Sequence, residues 1–143
     1  MHLEADRLAV MSDGDREQVE RLLFQFDSFW SPDLLAKAVH SIPEGLAEVH
    51  GAILEELVKI DIERRWNSGD GRPLEDYLRE FRDLGTNETV SASLIRVEYG
   101  VRKRGDNPVS AREIRKRFPA QFDDLRRLMR ESAQAQSLNG SSG

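Results

Sequence analysis

The chain has 143 residues, 33% charged and 38% hydrophobic, with a formal net charge of −5, a length that fits one domain able to fold without staples. It has no cysteine, which excludes disulfides, thiolate metal sites and a cysteine nucleophile. No apolar run approaches the ~18 residues of a membrane helix, and no signal peptide is evident, so a cytoplasmic protein away from membranes is expected.

Residues 1–12 carry no pattern and are expected to form a flexible N-terminus, ahead of one helical domain over 13–136. In "SDGDREQVERLLFQFDSFW" the residues Val19, Leu22, Leu23, Phe26, Phe29 and Trp30 recur at spacings of three and four, which predicts a helix. Asp15 and Gln18 have the spacing of a capping box at its start. Ser31 as cap and Pro32 as first residue then predict a short helix, "DLLAKAVHSI", up to Pro43. From Glu44 to Trp66 no proline intervenes, and Leu46, Val49, Ile53, Leu57 and Ile60 form a stripe on what reads as the longest helix.

"NSGDGRP" ends that helix, and "LEDYLREF" reads as a short one with Leu74, Tyr77, Leu78 and Phe81 on a shared face. After the turn "LGTNE", with Thr86 or Asn87 as the cap, "TVSASLIRVEYGVRKR" aligns Val90, Leu94, Val97 and Val101. "GDNPV" breaks it, and Ser110 with Glu113 forms an S-x-x-E capping box for "AREIRKRF". Pro119 opens a last helix through Gln136, and 137–143 reads as a flexible tail or linker. No segment reads as a strand. The expected fold is all-α, a helical bundle of about six or seven helices.

Leu57–Phe81 aligns with Leu94–Phe118 without a gap, a period of 37 residues. Asp61 meets Glu98, Arg65 meets Arg102 and Phe81 meets Phe118. Each copy is a long helix, a Gly/Asp/Pro turn and a short helix, so the bundle is expected to consist of repeated hairpins at about 57–84 and 94–121, stacked because one hairpin cannot bury its own apolar face. A fainter third copy lies upstream, where "FDSFW" is similar to "IERRW".

"LVKIDIERRW", the Gly/Asp break, "LEDYLREF", "LIRVEYGVRKRGDNP" and "IRKRFP" together resemble the region ahead of the catalytic domain in many large serine/threonine kinases of planctomycete bacteria. The resemblance covers about residues 44–130: Leu74–Leu78 match the family's "L-E-D-Y-L", and Phe118 with Pro119 matches its "F-P". The chain departs from the family at Arg82, where the first copy would have proline, and at "SAREI", which replaces a second "EEYL". The resemblance implies a helical module of a signalling kinase and no active site.

The kinase's own motifs, G-x-G-x-x-G, H-R-D and D-F-G, are absent. His2, His40 and His50 show no metal-ligand spacing. "NSGDGRP" lacks both the Gly-Lys-Ser/Thr ending of a phosphate loop and the closing Glu of a calcium loop, so it reads as a helix–helix turn. Asp61 and Glu98 suit acid–base work if buried together, but a structural pair such as Asp61 with Arg65, four residues on, is the simpler expectation. No cofactor or metal is implied, and Trp30, Trp66, Tyr77, Phe81, Tyr99, Phe118 and Phe122 read as core, with a partner groove lined by one or two of them as the alternative.

Charge is unevenly divided. Residues 1–93 hold 10 Lys/Arg against 20 Asp/Glu, whereas residues 94–130 hold 11 against 5. The candidate partner-binding residues are Arg102, Lys103, Arg104, Arg112, Arg115, Lys116 and Arg117, which flank one inter-helix turn. They suit a protein partner with an acidic surface, a kinase domain or another signalling protein, and self-association is open through the acidic half of another copy. The alternative is a binding domain for nucleic acid or another acidic ligand, through phosphate contacts from the same basic half.

Overall fold

The computed structural model describes residues 11–140, and the side chains of 135–140 are outside that description. Residues 1–10, most of the expected flexible terminus, and residues 141–143, the end of the expected tail, lie outside the described residues. The fold is all-α: seven α-helices and three 3-10 turns, with no strand among the described residues. The contacts divide the chain into two compact units, Met1–Arg72 and Pro73–Gly143.

The first unit contains α1 (Asp13–Ser28), α2 (Leu34–His40), a 3-10 turn (Glu44–Val49) and α3 (His50–Asn67). The three helices pack on one another. Ser12, with extended backbone, caps α1 by accepting the Asp15 amide at 3.2 Å, so Asp15 is a first-turn acid and not the cap. Helix α2 starts at Leu34, later than Pro32 would start it, and has no side-chain cap. The Pro32 carbonyl instead accepts a hydrogen bond from the Arg65 guanidinium.

The long helix expected from Glu44 is broken at Leu46 (φ −104°, ψ 22°), and its first six residues are a 3-10 turn. Leu46 and Val49 are both buried, and their three-residue spacing is the 3-10 period. The first half of helix α3 then has no single apolar stripe: every residue from Ala52 to Val58 is buried, Glu55 and Glu56 among them, whereas Glu63, Arg64 and Asn67 farther on are exposed.

Helix α3 ends in a Schellman motif. The Asp70 amide bonds Arg65 O at 2.9 Å and the Gly69 amide bonds Trp66 O at 3.4 Å, with Gly69 at φ +84°. Trp66 Nε1 then donates to Arg72 O at 3.0 Å. A Cβ on Gly71 would lie 2.2 Å from the Trp66 ring, so only glycine lets the chain pass.

The second unit contains α4 (Leu74–Glu80), a 3-10 turn (Arg82–Leu84), α5 (Ala92–Arg104), α6 (Ala111–Arg117), a 3-10 turn (Pro119–Gln121) and α7 (Phe122–Gly140). Helices α4 and α7 both pack on α5. Helix α5 begins at Ala92, capped by Ser91, because Thr86–Val90 forms its own turn, with the Val90 amide on Thr86 O at 2.8 Å. Ser110 caps α6 as expected, with the Glu113 amide on Ser110 Oγ at 3.1 Å, while the Glu113 carboxylate accepts the Ser110 hydroxyl at 3.4 Å. Pro119 opens a 3-10 turn rather than the α-helix itself, and α7 continues past Gln136 to Gly140. Tyr77, Leu94, Ile95, Ile114 and Phe118 are among the most buried side chains of this unit.

Candidate functional site

The chemistry of the second unit centres on Glu98, one turn and a half into α5 and only 1% exposed. An unpaired buried carboxylate is costly; this one accepts four hydrogen bonds. Its Oε1 accepts the Leu74 amide at 2.7 Å and Arg117 Nη2 at 2.8 Å. Its Oε2 accepts Arg117 Nη1 at 2.8 Å and Arg102 Nη1 at 3.0 Å. Leu74 opens α4, whose N-cap position is Pro73 with no side chain able to cap. Glu98 supplies that cap from another helix and places a negative charge at the positive end of α4.

Arg117 is shared between two carboxylates. Besides the fork onto Glu98, its Nε and Nη2 donate to Glu75 at 2.8 Å and 2.5 Å. Burial disfavours the charged form of Glu75, but the hydrogen bonds and charge of Arg117 outweigh it and hold the carboxyl below the ordinary carboxylate range. Burial also disfavours the Arg117 cation, and its bonds to Glu98 and Glu75 outweigh that, raising its pKa above the usual guanidinium value. The order Glu75, Arg117, Glu98, Arg102 thus alternates in charge and ties α4, α5 and α6 together.

The first unit holds a shorter version of this arrangement. Asp61, 0% exposed on α3, accepts Arg65 Nε at 2.9 Å and the Trp30 indole at 2.8 Å. Asp61 with Arg65 and Glu98 with Arg102 are both i,i+4 ion pairs, 37 residues apart. The structural role expected for the two acids is the one observed.

The seven candidate basic residues therefore separate. Arg102 and Arg117 are brought together, but by Glu98, and they are part of the scaffold. Lys103 lies 5.9 Å from the Tyr99 ring centroid and Arg104 projects from the end of α5. Arg112, Arg115 and Lys116 are exposed on α6 and pair with no carboxylate among the described residues. Arg102, Lys103 and Arg104 occupy the last turn of α5, and Arg115, Lys116 and Arg117 that of α6, where cations complement the helix dipole.

The Arg115 guanidinium lies 5.7 Å from the Phe122 ring centroid, which carries the α6 surface onto α7. From Phe122, steps of four lead to Arg126 and Arg130, both exposed. These two arginines extend the basic surface, and their spacing from Phe122 was the signal for them in the sequence. Asp123, exposed and three residues before Arg126, sits beside this stripe, and Asp124 pairs with Arg127 at 3.2 Å.

Elsewhere, His40 is exposed on α2 and His50 starts α3, while His2 lies outside the described residues. Glu56 bonds Lys59 at 3.2 Å, and Oε1 of its neighbour Glu55 has no hydrogen-bond partner. Among the described residues, no group of three or more His, Cys, Asp or Glu is placed to hold a metal, and no helix is long and apolar enough to cross a membrane. Compared with known proteins, the chain matches no family model, no curated protein and no solved structure.

Proposed function

We propose that this chain is a non-catalytic, cytoplasmic interaction module that docks an acidic protein surface onto the exposed face of α6 and the first half of α7. The observation that carries the reading is the division of the basic residues. Arg102 and Arg117 are committed to Glu98 and Glu75, whereas Arg112, Arg115 and Lys116 remain exposed and form no ion pair among the described residues. Cations held on short, capped helices form a preorganised rim, which steers encounter and sets specificity. The half-buried Phe122 beside Arg115 supplies the apolar contact such a rim needs.

The likeness to the region ahead of planctomycete kinase domains supports a proposed role in bacterial serine/threonine kinase signalling. Within that proposal the hairpins at 57–84 and 94–121 are repeats of one scaffold unit. The paired acids at 61 and 98, each with an arginine four residues on, support it.

The test is binding of a labelled acidic polypeptide and of a labelled oligonucleotide, followed by anisotropy over a salt titration. The reading expects the polypeptide to bind and the triple variant Arg112→Glu, Arg115→Glu, Lys116→Glu to lose it at least tenfold. Oligonucleotide binding that falls linearly in log salt, with no polypeptide binding, would replace this reading with a nucleic-acid-binding one.

A further inference from the structure

Helix α1 has two apolar features that face different ways. Val19, Leu23 and Phe26 are buried, whereas Phe24 is 71% exposed. Glu17, Glu20 and Phe24 follow at spacings of three and four, so they share a face with Arg21 beside them, and all four are exposed. An exposed phenylalanine in line with two acids is the chemical counterpart of Phe122 in line with Arg126 and Arg130.

We propose that the occupant of the basic stripe is a second copy of this chain, with α1 of one copy laid antiparallel against α7 of the next. This rests on the docking reading above and adds the partner. In antiparallel register Phe24 meets Phe122, Glu20 meets Arg126 and Glu17 meets Arg130. At 1.5 Å per residue the acids lie about 6 and 10 Å from Phe24, and the arginines about 6 and 12 Å from Phe122. The spacings agree to within the reach of the side chains. A parallel pairing opposes the aromatic residues to the charges.

The contact uses different surfaces on the two copies, so it is heterologous and either closes into a ring of copies or continues as a chain. A single helix pair buries less area than the ~1,200 Å² of a stable interface, so the complex is weak and salt-sensitive. The opposite net charges of residues 1–93 and 94–130 steer the same pairing at longer range.

The experiment is sedimentation of the full chain over a concentration series in low salt and again in high salt. The expected result is an average mass that rises above the monomer value with concentration in low salt and returns to the monomer value in high salt. Phe24→Ala should weaken association about tenfold. The variants Glu17→Lys/Glu20→Lys and Arg126→Glu/Arg130→Glu should each be monomeric alone and associate when mixed. All four positions are exposed, and circular dichroism confirms that the variants fold; Glu17→Gln/Glu20→Gln serves as a milder second variant expected to weaken association. A wild-type chain that stays monomeric, or a mixture that stays monomeric, overturns the proposal. If that chain still binds the acidic polypeptide, only the second copy is wrong as partner; if it binds neither, the docking reading falls too.

Discussion

Glu98→Gln is the most informative single change, because it removes one charge and almost no volume. The two Glu98 oxygens each face two N–H donors: Leu74 N and Arg117 Nη2 at Oε1, Arg117 Nη1 and Arg102 Nη1 at Oε2. Whichever way the glutamine amide turns, its NH2 group points at two donors and accepts from neither. Removing one partner of a buried ion pair costs about 3–5 kcal/mol. Arg117 keeps Glu75, and both arginines retain some exposure, which places this case near 3 kcal/mol. With a urea slope of about 2 kcal/mol per molar, the unfolding midpoint should fall by about 1.5 M without a change in slope. Far-UV circular dichroism is the probe, since both tryptophans, Trp30 and Trp66, lie in the first unit. Adding Arg117→Met should cost less than the sum of the single changes, by about 1 kcal/mol or more, because the cation stranded by the first change is gone. A Glu98→Gln loss below about 0.5 kcal/mol would refute the network as a source of stability.

The Glu75 carboxyl is held below its ordinary value of 4.5, so the stability it adds is complete above that pH and is lost as pH falls through its folded-state pKa. Glu75→Gln should therefore lower stability at neutral pH and flatten its fall under acid, read from urea midpoints across a pH series. Gly71→Ala places a methyl 2.2 Å from the Trp66 ring and should cost about 1–3 kcal/mol, with a shift in tryptophan emission as the ring is displaced. Ser110→Ala removes the cap of α6 and should cost about 1 kcal/mol in the same urea assay, with Ser110→Asp restoring most of it.

Much of this fold was legible in local pattern. The seven helices follow from spacings of three and four, and the Ser110–Glu113 cap from its signature. What was not legible depends on tertiary partners. Pro32 reads as a helix start, yet its carbonyl is taken by Arg65 from a different helix. Leu46 fits a continuous stripe at α-helical spacing, but its backbone (φ −104°, ψ 22°) leaves the helix there and Glu44–Val49 forms a 3-10 turn. Charge was harder still. Arg117 and Lys116 are neighbours of the same class in sequence. Arg117 faces Glu98 and Glu75, and Lys116 faces away, a difference that only the path of α4 and α5 decides.

Asp61 and Glu98 show why a basic run does not by itself mark a binding site. Both acids are buried, and both take an arginine four residues on. Each arginine also reaches into the turn that follows, Arg65 to Asp70 Oδ2 at 3.2 Å and Arg102 to Asn107 O at 3.0 Å. They differ in what completes the carboxylate. The shorter Asp61 takes the neutral Trp30 indole, whereas the longer Glu98 reaches the Leu74 amide and a second cation, Arg117. Two arginines converging on one buried acid give the second unit part of the basic character seen in its sequence, and those charges are spent within the fold. Lys103 and Arg104 at the end of α5, Arg112, Arg115 and Lys116 on α6 and Arg126 and Arg130 on α7 remain as exposed cations, so the surface a partner meets is made by these residues and not by the half-buried Arg102 and Arg117.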